Sequence, residues 1–235
     1  MSSNGLAPQR RPAILLDKDG TLIEDLPYNV DPRRIRLAPG AREAIRTLAA
    51  AGHRFVVVTN QSGVARGYFT EADLAEVHAH LEWLIEDLGG TLAGFYACPH
   101  LPDGVNEFAL ECDCRKPLPG LIHRAARDLD IDLAESWFIG DTWMDAAAGR
   151  AAGCRTIMVG PDAATAHALP EGRRPDHVAR DLRGAARIIL AADAARDEAA
   201  ERARVEARRE RRSRERQSRE RRSRERAQRR TGAAA

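Results

Sequence analysis

Lysine is almost missing from this chain. Of 37 basic residues only Lys18 and Lys116 are not arginine. Aromatic residues make up 5%. Apolar runs are short, such as Ala13 to Leu16 and Phe55 to Val58. None approaches the roughly 20 residues that span a bilayer, so no membrane partner is expected. Arg10-Arg11 is followed by only Pro12 to Leu16 before Asp17, too short for the apolar part of an export signal. Residues 1–11 read as a loose leader and the protein as cytoplasmic and monomeric. Cysteine is scarce too. Three of the four, Cys98, Cys112 and Cys114, lie close together, which in a cytosolic chain points to metal before disulfide.

The net charge of +2 hides an asymmetry. Residues 191–235 carry 16 arginines against nine acids, which leaves the body at −5. A mildly acidic body does not suit nucleic acid, so any such affinity is expected in the tail alone. Within that tail Ser-Arg-Glu-Arg recurs from Ser213, Ser218 and Ser223. The segment has no apolar face, so it reads as a charged helix or a disordered extension. The division expected is a domain over residues 12–190 and a low-complexity tail over 191–235.

The body alternates strand-like and helix-like segments. Strands are predicted over Ala13–Asp17, Arg54–Val58, Leu92–Ala97, Trp137–Ile139 and Arg155–Val159, with a short last one at His177–Ala179. Helices are predicted over Gly40–Ala51, Thr70–Leu88, Pro119–Leu129 and Trp143–Ala152, and another from about Asp181. The second shows an apolar stripe through Leu74, Val77, Leu81, Leu84, Ile85 and Leu88, opened by a Thr70/Asp73 box and stopped by Gly89-Gly90. This order implies an α/β fold with a doubly wound parallel sheet. Ligands of such sheets sit beyond the carboxyl ends of the strands. Asp17, Thr59, Cys98 and Asp141 each follow a predicted strand, so they are expected at one edge.

Four motifs occupy those strand ends. Asp17-Lys18-Asp19-Gly20-Thr21 puts two carboxylates two residues apart, facing one way, with Lys18 pointing elsewhere. Such a pair repels unless a cation or proton lies between, and it suits two roles, one ionised and one able to carry a proton. Thr59-Asn60-Gln61-Ser62-Gly63 offers hydroxyl, amide and backbone donors for phosphate oxygens. Lys116 in Cys114-Arg115-Lys116-Pro117 is a point charge for phosphate. Gly140-Asp141 ends a strand with a hard oxygen ligand for magnesium, and Asp145 follows to hold the loop. Each alone also fits a bland role: a solvated turn, a polar loop, a surface Arg-Lys pair, or Asp141 as a helix cap. A fifth set, Cys98-x-His100 with Cys112-x-Cys114, has the donors of a closed tetrahedral zinc site across residues 98–114. Cys154 stands outside it and reads as a small buried apolar residue.

Together and in this order, the four strand-end motifs resemble the haloacid-dehalogenase superfamily of phosphatases, over roughly residues 12–185. The resemblance implies a Rossmann-like sheet without a large cap domain. It implies Asp17 as nucleophile, Asp19 as general acid and base, and Thr59 and Lys116 as stabilisers of the phosphoryl group. It implies Mg2+ held by Asp17, Asp141 and the backbone carbonyl of Asp19. The zinc loop is similar to that of the subfamily of heptose bisphosphate and histidinol-phosphate phosphatases, with Zn2+ on Cys98, His100, Cys112 and Cys114. Its length, and Gln61 to Gly67, look more like the heptose enzymes. That implies a phosphorylated small molecule as substrate, a heptose 1,7-bisphosphate losing its carbon-7 phosphate. Asp25 to Tyr28 and Thr59, Asn60, Gln61 and Ser62 would line the pocket, with Arg115 on the second phosphate. Histidinol phosphate, another small phosphate ester or a nucleic-acid end phosphate stay open as alternatives.

Overall fold

The structure, a computed structural model, describes residues 10–160, 165–166 and 168–232. The expected leader falls mostly on residues 1–9, outside the described residues. Two compact units divide between Ile189 and Leu190.

The first unit holds six strands: β1 (Ile14–Leu16), β2 (Phe55–Asn60), β3 (Leu92–Cys98), β4 (Trp137–Gly140), β5 (Arg155–Val159) and β6 (His177–Ala179). They form one sheet in the order β3-β2-β1-β4-β5-β6, every pairing parallel. Helices α1 (Ala41–Ala50), α2 (Glu71–Asp87), α3 (Gly120–Asp128) and α4 (Trp143–Ala152) connect them. The doubly wound parallel sheet expected from the alternating pattern is therefore the observed one. The long insertions between β1 and α1 and between β3 and α3 form a flap and a loop, and neither builds a large cap domain.

Parallel strands covered on both faces read as continuous apolar runs. Phe55 to Val58 and Trp137 to Ile139 are all buried. On one face Leu15, Val56, Val58 and Phe138 pack with Leu121, Ile122 and Ala125 of α3 and Ala148 of α4. Cys154 joins this cluster as a buried small residue. The Thr70 box opens α2 as the sequence suggests, with the Thr70 N–H donating to Asp73 Oδ2 at 2.7 Å.

Chain order reverses between β1 and β4, which makes their carboxyl ends the switch point. Leu16 pairs with Ile139, and the Asp17 N–H donates to the Ile139 carbonyl at 2.9 Å. Asp17 and Asp141 thus lie side by side because their strands do. The second unit consists of residues from Leu190 onward in α5 (Leu182–Gly232). Its described side chains from Ala194 to Arg212 are all exposed.

Leu15 is fully buried in the sheet that carries the site. Leu15→Ala is expected to cost about 2–5 kcal/mol, the range for truncating a buried leucine, read by urea unfolding. A cost below about 1 kcal/mol would mean that this face is not the core.

Candidate active site

Lys116 lies at the centre of the strand ends. It is 3% exposed. Its Nζ is 2.7 Å from Asp17 Oδ1 and 2.6 Å from Asp145 Oδ1, and it donates to the Val58 carbonyl at 2.9 Å. One ammonium thus faces two buried carboxylates at once and donates a proton to a backbone carbonyl. Asn60 fixes the lysine's backbone in both directions. Its Oδ1 accepts from the Lys116 N–H at 3.0 Å, and its Nδ2 donates to the Lys116 carbonyl at 3.1 Å.

The sequence places Asp145 at the loop but does not mark it as a site residue. Its buried carboxylate serves two purposes. Oδ2 accepts from the Thr142 N–H at 3.0 Å and closes the capping box of α4, while Oδ1 meets Lys116. Thr142, not Asp141, is therefore the N-cap. Asp141 is left facing the site, where Thr21 Oγ1 donates to its Oδ1 at 3.4 Å. Two glycines make the convergence fit. A Cβ on Gly140 would overlap the Asp145 side chain, and one on Gly20, whose φ is +76°, would overlap the Asp141 carboxylate.

One oxygen each from Asp17, Asp141 and Asp145 lies within 4.8 Å of the others, a grouping able to hold a metal ion. Burial pushes Asp17 up to about 7, against the pull of Lys116. Burial, then the charge of Asp145, pushes Asp141 up to about 6. Three ionised carboxylates facing one ammonium leave a local charge of −2, which a divalent cation would balance. Oxygen-only donors suit a hard cation.

Asp19 sits two residues beyond Asp17 and lines a cavity of about 250 Å³ with Asp25, Tyr28, Asn60, Gln61 and Ser62. Gln61 Nε2 donates to Asp19 Oδ2 and to Thr59 Oγ1, both at 2.9 Å. The expectation that Lys18 points away from the pair is corrected. Lys18 is 1% exposed, lines the same cavity and holds Asp19 Oδ1 at 3.1 Å. Strand alternation fails there because β1 ends at Leu16 and the chain turns at once. Tyr28, in the flap at φ 53°, stacks edge-on against Tyr68 at 4.7 Å, a partner that nothing in the sequence singles out.

Arg115 lines a second cavity, of about 420 Å³, with Pro102, Leu110, Cys112, Leu118 and Met144. It donates to the His100 carbonyl at 3.3 Å. It is not among the residues that line the Asp19 cavity.

Cys98, His100, Cys112 and Cys114 converge as the paired spacings suggest. Their donor atoms lie within 4.8 Å of one another. Cys114 Sγ is 3.2 Å from Cys98 Sγ, from Cys112 Sγ and from His100 Nδ1. These separations are far too long for a disulfide and close to those of thiolates around one tetrahedral ion. Burial raises the Cys98 and Cys114 thiols. The loop is tied to the neighbouring turn, where Asn106 Nδ2 donates to the Val64 carbonyl and Val105 N–H to the Ala65 carbonyl, both at 2.7 Å.

Comparison with known proteins gives a consistent result. Residues 113–185 match the HAD-hydrolase-like family model. The chain is 42% identical over 148 residues to the D-glycero-beta-D-manno-heptose-1,7-bisphosphate 7-phosphatase of Haemophilus ducreyi, covering 63% of this chain and 81% of that one. It is 44% identical over 152 residues to the protein of that name from Yersinia pestis, covering 64% and 81%. A crystal structure of D,D-heptose 1,7-bisphosphate phosphatase from B. bronchiseptica, complexed with magnesium and phosphate, superposes with a TM-score of 0.65. The identity is 36%, with 76% of this chain and 98% of that chain covered.

The purified protein is expected to carry about one thiophilic metal ion per chain by elemental analysis. Cys114→Ala should lose the ion and open residues 98–114 to protease. Full metal content in that variant would place the ion elsewhere.

Proposed function

The chain belongs to the haloacid-dehalogenase-like phosphatases, and from that premise we propose that it removes the carbon-7 phosphate of D-glycero-D-manno-heptose 1,7-bisphosphate by way of a phosphoaspartate on Asp17. It is a phosphomonoester hydrolase. The observation that carries the mechanism is the ion-paired Asp17 carboxylate beside Asp141, two residues from a second carboxylate that lines a polar cavity.

In this reading Asp17 attacks phosphorus, forming an oxygen–phosphorus bond as the bond to the sugar oxygen breaks. Asp19 gives its proton to the leaving oxygen, then takes one from the water that cleaves the acyl phosphate and releases inorganic phosphate. Lys116 keeps the buried Asp17 ionised and fixed. From that position beside Asp17 its charge would also stabilise the phosphoryl group as it transfers. Thr59 Oγ1 accepts from Gln61, which leaves its own proton to donate to a phosphoryl oxygen. Gln61 and Lys18 hold the two Asp19 oxygens between them.

The donor set fits magnesium on the Asp17 and Asp141 carboxylates and the Asp19 carbonyl, with Asp145 retained by Lys116 and the start of α4. Bound there, magnesium neutralises charge so that an anionic nucleophile can approach an anionic phosphate. The cysteine and histidine donors fit structural zinc. A reducing cytoplasm suits a site built on thiolates. Asp25, Tyr28, Asn60 and Ser62 offer a hydroxyl-rich sugar the polar wall that it needs. The names of the relatives support the heptose. Arg115, in its own cavity, would reach the second phosphate only by leaving the His100 carbonyl.

A phosphate-release screen tests the reading. Heptose 1,7-bisphosphate anomers, histidinol phosphate, fructose bisphosphate and a 3′-phosphorylated oligonucleotide are compared by kcat/KM. A heptose bisphosphate is expected to lead by at least about tenfold, roughly what one net hydrogen bond supplies. Asp17→Asn should stay folded, with Asp145 still pairing Lys116, and lose at least roughly a thousandfold in turnover. Preference for histidinol phosphate would overturn the substrate, and full activity of the variant would overturn the covalent route.

A further inference from the structure

The phosphatase unit leaves the arginine-rich helix unexplained. About a quarter of this chain lies outside its superposition on the B. bronchiseptica enzyme, which is itself 98% covered. The fold of that enzyme is therefore complete without the extra residues. Within α5, residues 208–230 hold 13 arginines and four glutamates, a net charge of +9.

We propose that this segment is a nucleic-acid-binding element that docks on the phosphate backbone without reading sequence. The 23 residues span about 35 Å as a helix at 1.5 Å each, close to one turn of a duplex. That is one guanidinium per about 2.7 Å, against one phosphate per about 1.7 Å of duplex DNA. The glutamates recur every five residues, at Glu210, Glu215, Glu220 and Glu225. Each step of five turns roughly 140° about the axis, so the acids do not line up on one side of the helix.

Among the described residues, internal pairing does not consume the charge. Arg211 and Arg214 face Glu215 and Glu210 at 3.8 Å, long contacts between exposed groups. Arginine throughout, with no lysine, supplies forked donors that match phosphate oxygens two at a time.

A membrane surface is the less suitable polyanion. Helices that lie in a bilayer interface need an apolar face of Trp, Phe or Leu. Beyond Val205 the chain contains no valine, leucine, isoleucine, methionine or aromatic residue. The segment is also independent of the catalytic carboxylates, so its failure and that of the phosphatase reading are separable.

The test is fluorescence anisotropy with a 30-base-pair DNA duplex, an RNA hairpin and vesicles containing phosphatidylserine. The full chain is compared with a chain ending at Ala207 and with a full-length variant carrying Arg211→Gln, Arg212→Gln, Arg221→Gln and Arg222→Gln. The full chain is expected to bind nucleic acid and to weaken at least about 100-fold between 50 and 200 mM salt. Truncation should abolish binding with kcat/KM unchanged. The four-arginine variant should flatten the log–log salt slope on duplex DNA by about 3–4. Absence of binding at 50 mM salt, salt-insensitive binding, binding retained by the truncated chain, or tighter binding to vesicles than to nucleic acid would each overturn the proposal.

Discussion

A single buried ammonium organises the carboxyl edge of the sheet. Lys116 joins the end of β1 through Asp17, β2 through the Val58 carbonyl, and the β4–α4 turn through Asp145. None of these partners is near it in sequence. Taking a carboxylate out of water costs several kcal/mol unless a cation meets it, and an isolated buried ammonium is no better off. Each group is therefore tolerable only because the others are present. The same interdependence makes the site demanding of its surroundings. Asn60 clamps the lysine's backbone from both sides, and Gly140 gives Asp145 the room to reach it.

The remaining wall of the site comes from segments that cannot hold themselves. The flap after β1 leaves Tyr28 half exposed, supported by Tyr68 rather than by a core. In the loop between β3 and α3, Leu101 is buried, whereas Val105 and Leu110 face solvent. So little apolar burial does not offset the entropy of ordering a loop of this length. Cross-linking by one ion through the four donors would do what packing cannot. The flap lines the Asp19 cavity through Asp25, Pro27, Tyr28 and Asn29, and the β3–α3 loop lines the Arg115 cavity through Pro102, Leu110 and Cys112.

Much of this was legible in the sequence, for physical reasons that differ by residue. Strands buried on both faces must be apolar without interruption, so Phe55–Val58 and Trp137–Ile139 announce themselves. Carboxylates just beyond such runs have to share an edge once the sheet is parallel, which is why Asp17 and Asp141 could be paired across more than a hundred residues. The paired Cys and His spacings are similarly transparent. Asp145 was less so, because a helix-capping aspartate and an ion-pair partner look alike in a string of letters; only the geometry shows one carboxylate filling both roles. Lys18 misled because alternation holds inside a strand and not in the turn that ends it. Tyr68 was invisible, since its contact with Tyr28 depends on a left-handed residue in the flap.

The interdependence of Lys116 and its carboxylates is tested most directly by the stability difference between wild type and Lys116→Met as a function of pH, at low free magnesium. Burial raises Asp17 and Lys116 opposes that rise, so removing the ammonium lifts the carboxylate further. A raised aspartate is neutral in both folded and unfolded chains below about pH 4 and penalises folding as the pH climbs past that point. With Asp17 already at about 7 in the wild type, the account requires a difference that is flat below about pH 7 and grows above it by about 1.4 kcal/mol per pH unit until the variant's own carboxylate ionises, together with loss of turnover. A difference that does not change with pH, or wild-type turnover in the folded variant, would contradict it.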